Sequence, residues 1–316
     1  MKFFDLHADI FYDLTVQEIK GTPSTFEERH LKKFKAGNVK SGIFVVWYET
    51  DSEIAPSVFV NRAFDVIESL EENAESSLYF IKDFKTLEDS WNTEKVGVII
   101  GMEGVSAFGD SMEPLEAYYE SGLRHIGLTW NEQNTFATGV FGEPTRGITP
   151  LGRKLIERAQ SKNMLVDLAH LNEKSFWDAM SFTTKPLFVS HANAFKLCPH
   201  SRNLKDEQIK ELARNGGVIG LASVGSFLSE DMSERHVDKF IDHLMHMAYL
   251  GGIESVAVGF DFCDYIYDEY VGVKNLEDAS KTGVLVEGLI KRGFSKNDIE
   301  KIAYQNVLRY IKSTGF

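Results

Sequence analysis

His7 and Asp9 stand two residues apart at the end of the apolar run Met1-Lys2-Phe3-Phe4-Asp5-Leu6. An imidazole nitrogen and a carboxylate oxygen at that spacing reach one metal ion from the end of a strand, and both are ordinary zinc ligands. Four later apolar runs end in residues of the same kind. Glu103 follows Gly101-Met102, His170 closes Asp167-Leu168-Ala169, His191 follows Ser190, and Asp261 lies between Phe260 and Phe262. Three histidines and three carboxylates exceed what one zinc needs. Such a set suits two metals that share a bridging group and activate water between them.

Taken singly, each residue has a plainer role. A histidine at a strand end is more often a hydrogen-bonded structural group than a ligand. Glu103 before Gly104 would suit the start of a helix, and Asp261 would cap a loop. The joint pattern favours the metal set, because all six residues fall at the same end of five expected strands. The other histidines fit less well. His30 lies in a charged segment and His125 inside the fourth expected strand. His236, His243 and His246 share a helical pattern that no carboxylate-bearing strand end backs, so they read as surface or core. His200 joins the site only if the loop after the sixth strand folds inward. Arg202, in Pro199-His200-Ser201-Arg202-Asn203, offers a planar fork for a substrate carboxylate. A solvated surface arginine is an equally good reading of it.

The elements that would position these residues alternate. Eight apolar runs rich in β-branched residues recur: Phe3–His7, Gly42–Trp47, Val96–Gly101, Arg124–Thr129, Met164–Leu168, Pro186–Ser190, Gly217–Ala222 and Ser255–Phe260. Short, nearly continuous apolar runs suit strands buried on both faces. Helical patterns lie between them, at Ala55–Asn73, Leu151–Lys162, Glu173–Met180 (with Asn172 as cap), Lys205–Arg214 and Ser233–Tyr249. The alternation predicts an α/β, (β/α)8 TIM-like barrel with a binuclear metal site at the C-terminal ends of the strands, in one domain over residues 1–316. A doubly wound sheet competes, but it usually has a glycine-rich turn after its first strand, where this chain has His7 and Asp9. The stretch from Phe11 to Lys40 is long for a βα connection and would hold extra strands or a helix.

Composition bounds the function. The chain has 316 residues, 43% of them hydrophobic, and a formal net charge of −13. That charge argues against a nucleic-acid surface. No apolar run approaches the roughly 20 residues of a membrane span, so no membrane is expected as a partner. A cleaved leader would remove His7, which argues against a signal peptide. Two cysteines, Cys198 and Cys263, suit a reducing cytoplasm.

These residues together resemble the membrane dipeptidase (renal dipeptidase-like, M19) family of the metal-dependent hydrolase superfamily. The resemblance runs along nearly the whole chain. It covers Asp5-Leu6-His7-Ala8-Asp9, Glu103-Gly104, Asn131 with Asn134-Thr135, Asp167-Leu168-Ala169-His170 and Ser190-His191. It continues through Ser201-Arg202-Asn203, Gly259-Phe260-Asp261-Phe262, Asn275-Leu276-Glu277-Asp278 and Asn306-Val307-Leu308-Arg309. His-x-Asp is the specific part, since most relatives in the superfamily open with His-x-His.

The resemblance implies a barrel holding two zinc ions. His7 and Asp9 would bind one, His170 and His191 the other, and Glu103 would bridge them. A metal-bridging hydroxide would attack the carbonyl of a dipeptide, including one with a D-residue at its C-terminal position. Asp261 would be the acid/base, Arg202 would take the terminal carboxylate, and the family suggests a homodimer. This chain departs from the mammalian pattern at Trp130, which stands where those enzymes carry a substrate-binding histidine. Cys263 follows Phe262 where an aspartate is usual, and Tyr304-Gln305 replaces Gly-Glu before Asn306. Two alternatives stay open: a related amidohydrolase acting on N-acyl amino acids or another small amide, and a non-catalytic metal-binding pseudoenzyme.

Overall fold

The structure is a computed structural model that describes residues 1–49, 52–266 and 272–316. It divides into two compact units, each assembled from separated stretches of chain. Unit 1 comprises Met1–Ala8, Glu27–Gly42 and Phe188–Tyr310; unit 2 comprises Asp9–Phe26, Ile43–Leu187 and Ile311–Phe316.

Unit 1 holds β1 (Phe3–Ala8), the start of β2 (Val39–Val46), β7 (Ile219–Leu221) and β8 (Val256–Val258). Every residue of β1 is buried, as its apolar sequence requires. Burial of Phe3, Phe4 and Leu6 contributes roughly 1.5–3 kcal/mol per side chain, which offsets the cost of placing Asp5 among them. β7 and β8 pair in parallel, with Ile219 opposite Val256 and Leu221 opposite Val258. The expected sixth strand, Pro186–Ser190, forms no continuous strand; Phe188 and Val189 are isolated bridge residues, and Val189 pairs in parallel with Ile219. Close backbone approach holds this segment instead. A Cβ at Gly220 or Gly259 would lie 1.9 or 1.8 Å from the Ser190 carbonyl oxygen, so only glycine lets Ser190 and His191 take this place.

Unit 2 holds the rest of β2, then β3 (Leu78–Phe80), β4 (Val96–Glu103), β5 (Leu123–Gly127) and β6 (Leu165–Asp167). β4 pairs in parallel with β3 and with β5, and β5 pairs in parallel with β6. β3 is an addition to the expected strands. Its three residues, Leu78-Tyr79-Phe80, are too few to show a period.

The helices follow the sequence pattern closely. Pro56–Glu72 starts with its proline in the first turn, where the missing N–H costs nothing. Pro150–Ser161 has Thr149 as cap, its hydroxyl accepting the Gly152 N–H. Glu173–Phe182 starts at Asn172, whose side chain accepts the Ser175 N–H. Asp206–Arg214 and Val237–Gly251 match the remaining two patterns. The long stretch after β1 contains helices rather than strands: Ile10–Ile19 in unit 2, then a π-turn at Glu27–Leu31 and a short helix at Lys32–Ala36 in unit 1. Among the described residues, no helix is long and apolar enough to cross a membrane.

Candidate metal centre

Unit 1 gathers His7, His191, Arg202 and Asp261. His7 is the fifth residue of β1 and is buried. The Asp5 carboxylate Oδ1 accepts the His7 N–H at 3.2 Å and the Phe260 N–H at 2.8 Å. The Asp261 N–H donates to the His7 carbonyl at 3.2 Å. β1 and the end of β8 are thus tied together where their two site residues emerge. Burial pushes the Asp5 carboxyl up to about 7, while the two amide N–H groups pull it the other way. His7 Nε2 lies 3.9 Å from Asp261 Oδ1, and the His7 and His191 rings are 3.8 Å apart between centroids.

His191 has a defined chemistry at each nitrogen. Ser190 Oγ lies 2.8 Å from Nδ1, and Arg202 Nη2 lies 2.7 Å from Nε2. A guanidinium only donates, so Nε2 is the acceptor and the proton sits on Nδ1, toward Ser190. The Nε2 lone pair is also what a metal would take. Arg202 and a metal are therefore alternative partners of His191. Arg202 itself is only 6% exposed and lies over the Phe227 ring, so the reading of it as a solvated surface residue does not hold. His200 does fold inward beside it, its Nδ1 accepting the Arg202 N–H at 3.2 Å. Burial, with Arg202 as a smaller cause, holds the His200 imidazole below its usual range.

Unit 2 gathers Glu103, Trp130 and His170. Glu103 is the last residue of β4, and His170 follows β6 by three residues. His170 Nε2 stands 2.7 Å from Glu103 Oε1, and both side chains are buried. The other ring nitrogen, Nδ1, is 2.9 Å from Asn131 Oδ1. An amide oxygen only accepts, so Nδ1 carries a proton and Nε2 faces the carboxylate. Two electron-rich atoms at that distance need a cation between them, either a proton or a metal. Trp130 stacks on Trp47 with centroids 5.2 Å apart, and Trp47 stacks on Tyr12 at 4.1 Å. The Trp130 ring is 6.2 Å from that of His170. Asp9 is also in this unit, buried, as the N-cap residue of Ile10–Ile19 but with no side-chain cap bond.

Two expected site residues share an unusual backbone. His170 has φ +66° and Asp261 has φ +54°. The left-handed region is sparsely used by residues other than glycine, and such strain concentrates at functional sites.

Donor chemistry and burial both fit metal binding. Imidazole Nε2 lone pairs and carboxylate oxygens are the hard-to-borderline donors that zinc, manganese and iron accept. In His191 and His170 an orienting partner on Nδ1 fixes the tautomer that leaves Nε2 to coordinate, a usual outer-shell arrangement for metal histidines.

Several contributors were not read from the sequence as site residues. Asp5, Ser190, and the pair His125 with Asp167 are buried polar groups beside the site residues. Asp5 and His125 did leave a signal, a charged or titratable residue inside an apolar strand run. The three histidines of the long helix stay outside the site. His243 is fully buried, with Nδ1 accepting the Ala194 N–H and Nε2 donating to the Leu228 carbonyl, both at 3.0 Å. Burial pushes its pKa down to about 4. His246 pairs with Asp206, and His236 precedes the helix as its N-cap residue.

The fold is α/β, and these donors are of the kind that binds metal ions. The chain belongs to the membrane dipeptidase family, peptidase family M19, whose pattern matches residues 1–315. Among curated proteins, an uncharacterized dipeptidase of Schizosaccharomyces pombe is 35% identical over 229 residues, 71% of this chain and 54% of that protein. Dipeptidase tcpJ of Claviceps purpurea is 30% identical over 69% of this chain and 51% of its own length. The matched part thus spans about half of these two relatives. Among solved structures, a metallo peptidase from Rhodobacter sphaeroides, liganded with a phosphinate mimic of the dipeptide L-Ala-D-Ala, superposes with a TM-score of 0.89. That match covers 99% of both chains at 22% identity, and it shows the TIM-like α/β fold expected from the strand–helix alternation.

Proposed function

We propose that this chain is a zinc-dependent dipeptidase, a single hydrolase domain over residues 1–316. The observation that carries the proposal is the buried pair of His170 Nε2 and Glu103 Oε1 at 2.7 Å, in a member of a dipeptidase family. His7 and Asp9 would hold one zinc, His170 and His191 the other, with Glu103 bridging. Bound there, the two ions would supply an acidified water and a Lewis acid for the scissile carbonyl.

The protein's own groups do the rest. Asp261 takes the proton of the attacking water and returns it to the leaving amine. Arg202 leaves the His191 nitrogen and pairs with the C-terminal carboxylate of the substrate, fixing the register of the peptide bond. The stacked rings of Tyr12, Trp47 and Trp130 form an apolar wall near His170, and Trp130 contributes one indole N–H donor where an imidazole stands in mammalian relatives. A dipeptide with a D-residue at its second position falls within the proposed substrate range. The mimic held by the Rhodobacter sphaeroides structure supports that range. The thiols of Cys198 and Cys263 suit a cytoplasmic protein, and a homodimer is the proposed assembly.

Metal analysis tests this reading. The wild type is expected to hold two zinc ions per chain, and His170→Ala to lose one. Equal zinc content in both proteins contradicts the ligand assignment. Trp130 favours one second reading, a related hydrolase of N-acyl amino acids. Turnover of those compounds without turnover of dipeptides would establish it.

A further inference from the structure

A buried His–Asp pair in unit 2 is not used by the proposed chemistry. His125 lies inside β5 and Asp167 ends β6, and they are 1% and 3% exposed. His125 Nε2 lies 3.1 Å from Asp167 Oδ2. The other carboxylate oxygen, Oδ1, accepts the Ala169 N–H at 2.9 Å. Ala169 immediately precedes His170, the residue with φ +66°. The two oxygens of Asp167 therefore act separately. His125 holds one, and the other holds the turn that presents His170.

The strands are fitted to this pair. On β4, Gly101 is the register partner of His125, and the register shifts there between Ile100 and Gly101. A Cβ at Gly101 would lie 2.6 Å from His125 Nδ1 and 2.8 and 2.9 Å from the Ile43 and Val45 side chains, so the glycine on β4 leaves room for the ring as well as for these two neighbours. Two residues further on, the same strand ends in Glu103, the carboxylate facing His170. An apolar pair of equal volume would serve the sheet about as well as a buried hydrogen-bonded pair does. The pair is thus poorly explained by stability alone.

We propose that His125 and Asp167 are positioning residues for His170. Asp167 pins the left-handed turn through the Ala169 N–H, and His125 keeps the carboxylate from rotating away. Neither touches substrate. The inference rests on the reading of His170 as a metal ligand, and the experiment separates the two.

The test compares zinc affinity of the full-length zinc-loaded protein and its variants, by titration with a competing chromophoric chelator. Cobalt-loaded samples add the visible absorption bands that report ligand geometry. His125→Leu is expected to weaken the zinc held by His170 about 10–100-fold, the usual effect of losing an outer-shell partner of a metal ligand. It is expected to change the cobalt bands, and to lower kcat with KM little altered. His125→Gln, whose amide N–H can still reach Asp167, is expected to recover most of the affinity. If His125→Leu does not fold, Asp167→Ala removes the same support from the other side and is expected to show the same loss. Wild-type affinity and wild-type cobalt bands in the folded variant would overturn the proposal, as would failure of His125→Gln to recover any affinity. His170→Ala is the control. If it binds as much zinc as the wild type, the ligand assignment itself falls. If it loses zinc while His125→Leu keeps wild-type affinity, only the positioning role falls.

Discussion

His170 Nε2 stands 2.7 Å from Glu103 Oε1, at the ends of two strands of the same unit, and the ring is turned by Asn131 on its other nitrogen. The bond to Asn131 leaves only a proton or a metal to reconcile the facing atoms. Replacing Glu103 with Gln keeps the volume but removes the charge. We expect Glu103→Gln to lose zinc and to lower kcat/KM by at least about 10²–10³-fold, the scale of losing one electrostatic group from an active site. Zinc content and initial rates check this together.

Asp261 is argued to move a proton rather than to hold the fold. Asp261→Asn is expected to keep its metal while kcat falls about 10²–10⁴-fold. A variant with full zinc content and near wild-type kcat would remove Asp261 from the mechanism.

Arg202 is buried against His191 and Phe227, so its charge is poorly screened. Its proposed partner is the substrate's terminal carboxylate. A hydrogen bond to a charged group is worth about 1.5–3 kcal/mol, so Arg202→Met should lower kcat/KM for dipeptides about 10–150-fold. The same substitution should matter far less for a dipeptide amide, which lacks the carboxylate. An equal loss on both substrates would mean that Arg202 acts elsewhere.

His243 makes stability depend on pH. Its folded pKa, about 4, lies below the ordinary value of 6.5, because burial disfavours the charged ring. Between these two values the unfolded chain binds the extra proton, so stability rises with pH across that window and falls on acidification. The shift corresponds to a few kcal/mol, about 3 by linkage. Melting temperatures from pH 7 to pH 4 should fall less steeply in His243→Gln than in the wild type. Parallel curves would show that another group controls the acid side.

Much of the fold was legible because the strands are buried on both faces and therefore read as continuous apolar runs. Seven of the eight expected strands appear as β1, β2, β4, β5, β6, β7 and β8. The run Pro186–Ser190 is apolar for the same reason, but it carries isolated bridges at Phe188 and Val189 in place of a continuous strand, with Gly220 and Gly259 close against the Ser190 carbonyl. Composition alone cannot express that. β3 was missed because three residues carry no period.

The candidate donors were legible as strand-end His, Asp and Glu. Their supports were less so, since a carboxylate such as Asp167 looks the same in sequence whether it faces solvent, metal or a histidine. Asp5 and His125 could be seen as odd residues in apolar strands, but their partners, the Phe260 amide and Asp167, lie 255 and 42 residues away in the chain. Arg202 shows the reverse case: two readings were balanced in the sequence, and burial beside His191 excludes the solvated one.

The most direct measurement is hydrolysis of L-Xaa-L-Xaa and L-Xaa-D-Xaa dipeptides by the zinc-loaded protein, followed as amino-acid release before and after chelation. The account predicts release that chelator abolishes and added zinc restores. A folded, zinc-loaded protein that releases nothing from any dipeptide would contradict it.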